Sequence, residues 1–223
     1  LCGVGPGDEV VTTPVSCTAT STHIVLRGAR PVWADVDPRT GLIDPIDVTR
    51  KLTRHTKAII AVDFAGRGCA YLELGRAAPV PIIQDAAHRG PIALDEYGDL
   101  LCLSFQAIKF LTTVDGGALV PLPALSISRA VCIKKPGRSV TSQLGADRAR
   151  LLRWYGLDRT KGESFRCEQN IVEAGYKYHM NDVAASIGLA NLVLAQRAVA
   201  AHQANARFYH DALGDLCPQV ELP

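Results

Sequence analysis

Val80-Pro81-Ile82-Ile83-Gln84-Asp85-Ala86-Ala87-His88 reads as a short buried-type strand that ends in an acid. Open α/β sheets take their ligands beyond the carboxyl ends of such strands, so Asp85 stands where a ligand is met. Working outward, Ala58-Ile59-Ile60-Ala61-Val62 is a continuous apolar run, the kind of strand that is covered on both faces. Before it, Gly7–Pro14 reads as a turn and a strand, 16–27 as a helix with Ile24, Val25 and Leu26 late in it, and 29–37 as a strand leaving into the turn at 38–41. Asp44 precedes Pro45, an N-cap and first-turn pair for a helix through Leu52. Gly66 and Gly68 mark a loop, and 73–78 is a short helix before the Asp85 strand. This alternation predicts a three-layer α/β sandwich around a mostly parallel sheet.

Downstream, Leu103-Ser104-Phe105-Gln106-Ala107-Ile108-Lys109-Phe110 runs through Thr112-Thr113-Val114-Asp115-Gly116-Gly117 to Ala118-Leu119-Val120. It reads as an apolar strand, a turn, one lysine, a glycine pair and a second apolar strand. Lys109 is the only basic residue in the run and lies between Ile108 and Phe110. Apolar surroundings desolvate a lysine and favour its neutral, nucleophilic amine, the form that attacks carbonyls. On these residues alone a lysine snorkelling out of a loop is the plainer reading. Asp85 changes the balance, because pyridoxal phosphate chemistry needs a carboxylate against the ring nitrogen as well as a lysine for the aldehyde.

The composition is that of an ordinary globular chain: 223 residues, 48% apolar, 21% charged. A net charge of +2 argues against a dedicated nucleic-acid surface. No run of 18 apolar residues and no basic-then-apolar leader occurs, so neither a membrane span nor secretion is expected. The seven cysteines are scattered without a metal-binding spacing and read as reduced, mostly core residues. Residues 121–147 are broken by Pro121, Pro123, Pro136 and Gly137, and Lys134, Lys135 and Arg138 there read as a solvated cluster. Residues 148–156 read as a helix ending at Gly156, and 158–170 as a mobile polar loop. Asn181 caps a helix from Asp182 whose apolar face is Val183, Ile187, Ala190, Leu194 and Ala198, continuing with breaks to Leu213.

Six pieces, in order, resemble the DegT/DnrJ/EryC1/StrS sugar aminotransferases, which have the aspartate aminotransferase type of fold. They are Gly3-Val-Gly-Pro-Gly-Asp-Glu-Val-Val11, Trp33-Ala-Asp-Val-Asp37, Thr56-Lys-Ala-Ile-Ile60, Asp85-Ala-Ala-His88, Ser104-Phe105 through Gly117, and Gly175-Tyr-Lys-Tyr-His-Met-Asn-Asp182. The resemblance implies a large domain over 1–195 that binds pyridoxal 5'-phosphate and is incomplete at its N-terminus. It implies that 196–223 is a helix leading to a small C-terminal domain that is largely missing, so the chain is expected to be a fragment. It also implies roles. Lys109 forms the Schiff base, Asp85 faces the pyridine nitrogen, His88 lies beside the ring hydroxyl, and Ser104 contacts the phosphate.

Two positions depart from the family's pattern. Cys17 stands where an aromatic residue stacks on the ring, and a core cysteine is an equal reading. Lys177 stands where an asparagine reaches the phosphate across a homodimer, and an exposed loop lysine is an equal reading. The implied reaction is cytoplasmic amino transfer from glutamate to a nucleotide-linked keto-sugar for polysaccharide or secondary-metabolite synthesis. A lyase or dehydratase on the same fold, or an inactive remnant, are the alternatives.

Overall fold

The computed structural model describes residues 1–90, 98–122, 143–158, 171 and 173–216. Lys134, Lys135, Arg138 and nearly all of the 158–170 loop lie outside the described residues, as do Cys132, Cys167 and Cys217. Six strands form one sheet: β1 (Glu9–Thr12), β2 (Arg30–Trp33), β3 (Thr56–Val62), β4 (Ile82–Asp85), β5 (Leu100–Ser104) and β6 (Gly117–Pro121). Their order is β2-β1-β3-β4-β5-β6. The first five run parallel, and β6 pairs antiparallel with β5.

Strand residues alternate between the two faces, and that alternation builds two cores. On one face Val11, Ile59, Ala61 and Ile82 pack under helices α2 (Pro45–Lys51) and α3 (Tyr71–Ala77), which contribute Val48, Tyr71 and Leu74. On the other, Val10 and Ala58 pack against Ile24 of α1 (Thr18–Leu26), with Ile60 and Ile83 partly buried beside them. The sheet therefore lies between two helical layers, as the alternating pattern predicts. Each large aliphatic side chain fully buried this way contributes about 1.5–3 kcal/mol. Where α1 ends, its face opens into a groove of about 330 Å³ whose lining includes Cys2, Val10, Ile24, Ile60, Ile83 and Cys102.

Local signals hold at several termini. The Asp44 side chain accepts a hydrogen bond from Ile46 N at 2.8 Å, with Pro45 as the first helical residue. Asn181 Oδ1 accepts from Ala184 N at 2.9 Å and opens the last helix, α5 (Asp182–Leu216). The fourth helix, α4 (Gln143–Leu152), ends four residues before Gly156. Its last carbonyls are taken from outside: Leu152 O accepts from Tyr176 N and Arg153 O from Tyr178 N. Gly156, at φ 80°, donates its N–H back to Leu151 O at 3.0 Å and so closes the helix end, as the sequence predicts.

The packed face of α5 is rotated from the expected one, of which Ile187 and Ala198 are half-buried and Val183, Ala190 and Leu194 exposed. Val183 is 72% exposed and Leu194 54% exposed, whereas Ala195 is fully buried. The helix docks through small and polar residues. A Cβ on Gly188 would lie 2.7 Å from Thr113 Cγ2, and Asn191 Nδ2 donates to Thr112 O at 3.0 Å. Larger side chains on that face would hold the helix off the loop, so they turn outward. By length and composition only, α5 is long and apolar enough to cross a membrane, although it holds no unbroken run of 18 apolar residues.

Candidate active site

Strands β3, β4 and β5 end side by side, with Val62 in register with Asp85 and Asp85 with Cys102. Asp85 closes β4, and its side chain faces the α1 side of the sheet. Thr20 of α1 donates to Asp85 Oδ2 at 2.8 Å, and Ala87 N donates to Oδ1 at 3.2 Å. Each carboxylate oxygen thus holds one donor within the chain and keeps acceptor capacity for a second. Cys102 lies beside it, and burial first, then the Asp85 charge, pushes that thiol up to about 12.

The tight turn after Asp85 brings His88 to the same edge, half-buried. His88 Nδ1 accepts from Ala65 N at 3.2 Å, so in the neutral ring the proton sits on Nε2. The ring lies 5.4 Å from that of Phe64. Ala65 holds a left-handed backbone (φ 53°), a conformation costing about 1–2 kcal/mol outside glycine. Burial lowers the His88 pKa, the Lys109 charge lowers it further, and Asp85 opposes both. Lys109 and Asp85 are thus the two charges that bear on His88.

Lys109 sits in the loop between β5 and β6. Phe105 N donates to Gly116 O, and Phe105 O accepts from Thr113 N, both at 2.9 Å, closing the loop at its base. Lys109 N donates to Gln106 O at 2.9 Å, and Ile108 N to Gln106 Oε1 at 3.0 Å. A Cβ on Gly117 would collide with the Leu103 carbonyl oxygen, so β6 can approach β5 this closely only with glycine there. The expected apolar surround of the lysine is half present. Ile108 is 83% exposed and points to water. Phe110 is half-buried, packs edge-on against His202 of α5 at 5.0 Å, and faces Gly90, whose Cβ would lie 3.3 Å from it.

Ser104 ends β5 at the root of this loop, its Oγ 3.4 Å from Gln106 N as acceptor. Cys17 is exposed at the N-cap of α1, where its side chain makes no capping bond. It is therefore not a core residue, and it lies one helical turn before Thr20. Lys177 stands apart from the cluster. It is exposed and bridged through its backbone to Trp154, between Tyr176 and Tyr178, whose rings stack at 4.8 Å.

Sequence reasoning missed the residues that hold these groups in place. Asp63, fully buried one residue past β3, accepts from Cys69 N (3.0 Å), Tyr71 OH (2.7 Å), Gln84 Nε2 (2.9 Å) and Arg89 Nη1 (3.4 Å). It ties the 64–70 loop to the turn carrying His88. Its signal was the same as that of Asp85, an acid directly after an apolar strand. Thr20 and Asn191 carry no comparable signal.

An open α/β sheet with an acid, an imidazole and a lysine at its carboxyl edge defines a class of fold that binds a cofactor at that edge. The comparisons with known proteins narrow that class. The profile of the DegT/DnrJ/EryC1/StrS aminotransferase family matches residues 1–223, and the chain belongs to that family. Among solved structures it is similar to AtS13 from Actinomadura melliaura, with 33% identity, a TM-score of 0.78, and coverage of 92% of this chain and 54% of that one. It is similar to the sugar aminotransferase CalS13 from Micromonospora echinospora, with 28% identity, a TM-score of 0.79, and coverage of 95% and 56%. It is also similar to Spr1654 from Streptococcus pneumoniae in its PLP form, with 27% identity, a TM-score of 0.70, and coverage of 86% and 50%. The chain thus spans about half the length of these proteins.

Proposed function

We propose that the protein is a pyridoxal phosphate-dependent aminotransferase that moves an amino group from glutamate to a nucleotide-linked keto-sugar. What supports this reading is that Asp85 ends β4, His88 lies in the turn after it, and Lys109 lies in the loop that leaves the neighbouring strand β5. The donor set fits the cofactor: a carboxylate with acceptor capacity left for a ring N–H, a neutral imidazole offering its Nε2–H to a ring oxygen, and a lysine amine for the aldehyde. When bound, the cofactor supplies the electron sink for carbanion chemistry.

The chain's own residues then have separable tasks. Asp85, held at both oxygens, would keep a proton on the ring nitrogen. His88 Nε2–H would hydrogen-bond the ring oxygen, a task suited to an imidazole whose pKa burial lowers. Ser104 Oγ would hold the phosphate, and Cys17 would offer its polarisable sulfur to the ring. Lys109 would hold the aldehyde and, once an amino donor takes its place, would supply the amine that moves a proton as general base and then acid.

Lys177 completes the reading as a phosphate partner for a second subunit, a charge-assisted contact. A homodimer is supported by the outward apolar residues of α5, among them Leu189, Val193 and Phe208. Exposed apolar surface of this kind favours association. The free thiols of Cys2, Cys17, Cys69 and Cys102 suit a reducing cytoplasm.

Borohydride reduction of the full-length protein with the cofactor, followed by peptide mapping, tests the assignment. The adduct is expected on Lys109, with 2-oxoglutarate released from glutamate in the unreduced enzyme. An adduct on another lysine overturns the role of Lys109, and glutamate left unconverted overturns the reaction.

A further inference from the structure

The side chain of Thr20 departs from its neighbours on α1. Thr22 Oγ1 donates back to Thr18 O at 2.8 Å and Ser21 Oγ to the same carbonyl at 3.2 Å, the usual local bonds of helical hydroxyls. Thr20 Oγ1 instead reaches across to β4, bonding Asp85 Oδ2 at 2.8 Å, and lies 2.7 Å from Ser16 Oγ. A hydroxyl has one proton. The ionised carboxylate can only accept, so Thr20 donates to Asp85 and Ser16 donates to Thr20. The bonds form a directed chain, Ser16 to Thr20 to Asp85, in which each donor polarises the next.

A carboxylate torsion is broad and nearly two-fold, so a strand-end aspartate does not by itself fix where its free lone pairs point. The Ala87 N–H and the Thr20 hydroxyl, one on each oxygen, fix that plane. Thr20 is itself held by its β-branch, which restricts its rotamers, and by the Ser16 bond.

We propose that Thr20, oriented by Ser16, is a positioning residue for Asp85 that aims the carboxylate at the cofactor's ring nitrogen. The inference rests on the role given to Asp85 above. It adds that the α1 layer, and not the strand end alone, sets the geometry of the electron sink.

The test uses the full-length protein titrated with pyridoxal phosphate, in four forms: parent, Thr20→Val, Thr20→Ser and Asp85→Ala. Valine keeps the shape of threonine and lacks the hydroxyl, while serine keeps the hydroxyl. Three quantities are read: the cofactor dissociation constant, the pH midpoint of the bound cofactor's visible band, and kcat against KM for the amino donor.

Thr20→Val is expected to weaken cofactor binding roughly 10-fold, the size of one hydrogen bond to a charged group. It is also expected to shift the pH midpoint and lower kcat with little change in KM. Thr20→Ser is expected to restore all three. A Thr20→Val protein with the parent's midpoint and kcat, while Asp85→Ala loses both, overturns the positioning role alone. A Thr20→Ser protein as impaired as Thr20→Val overturns it too, because packing of the methyl group then explains the effect. An Asp85→Ala protein with the parent's midpoint overturns the underlying role of Asp85 and this inference with it.

Discussion

Replacing Asp63 with alanine is the sharpest perturbation of how the site is held. The carboxylate is fully buried and accepts from four donors, while the Arg89 side chain is 11% exposed. Removing one partner of a buried ion pair destabilises by about 3–5 kcal/mol. At 3.4 Å the Arg89 contact is the longest of the four, so the pair is not the whole effect. The bonds from Tyr71 OH and Gln84 Nε2, at 2.7 and 2.9 Å, are each of the type worth about 1.5–3 kcal/mol. The contributions overlap, and water entering the void returns part of the loss. We therefore expect Asp63→Ala to lose about 4 kcal/mol in urea titrations. At about 2–4 °C per kcal/mol for a chain of this size, Tm falls by roughly 8–16 °C. Asp63→Asn keeps the volume and one acceptor oxygen, and loses less. Because Ala65 and Arg89 flank His88 from two loops that Asp63 joins, the His88 imidazole resonances should broaden or shift in Asp63→Ala. A loss below about 1 kcal/mol, with those resonances unmoved, would refute the claim that this carboxylate fastens the His88 turn.

Three further outcomes follow from the same geometry. His88 has a lowered pKa, first through burial and then through Lys109, so the unfolded chain binds more protons near its ordinary value of about 6.5. The stability it contributes is therefore present above that value and is lost as pH falls toward the lowered one. His88→Gln should flatten the fall in urea midpoint between about pH 7.5 and about pH 5.5, and an unchanged pH profile would sink the assignment. Gly117→Ala should destabilise by about 1–3 kcal/mol, since its Cβ meets the rigid Leu103 carbonyl rather than a yielding side chain. Urea titration with stability equal to the parent would show that the strands part freely. Among the described cysteines, Cys17 should be alkylated first by a small maleimide under native conditions, because it is exposed while Cys69 is buried and Cys102 partly so. Labelling of Cys102 before Cys17 in peptide maps would contradict this order.

The groups proposed for the chemistry carry signals in the sequence and their supports do not, for a physical reason. Asp85 announces itself because the apolar run of its own strand stops abruptly at an acid. Lys109 does so only beside Asp85: it is the sole basic residue between two apolar strands, which alone reads as a loop lysine. Both signals are local. Thr20 meets Asp85 across 65 positions, and Asn191 meets Thr112 across 79. No periodicity in either segment encodes such a meeting. The register of α5 was misread for a related cause. Hydropathy places the larger aliphatic residues inward, but the helix approaches the lysine loop so closely that Gly188, Asn191 and Ala195 are what fit. The end of α4 was legible in Gly156, whose N–H takes Leu151 O, but not in Tyr176 and Tyr178, whose backbone N–H groups take the next two carbonyls from far along the chain.

The same close approach gives α5 two sides with different tasks. Its inner side meets the Lys109 loop at three places: Gly188 against Thr113, Asn191 on Thr112 O, and His202 edge-on to Phe110. Phe110 is also the residue Gly90 faces, so the loop that offers the lysine is held between α5 and the turn that follows His88. In the role proposed here Lys109 must arrive at one carbon in one orientation, and a loop of twelve residues between paired strands would wander without such contacts. The cost of using small inward residues is that the large ones face out, Val193 at 76% exposure among them. A helix that braces the lysine loop on one side thus presents an apolar surface on the other. In the homodimer proposed here, covering that surface would stiffen the helix and, through it, the loop that carries Lys109.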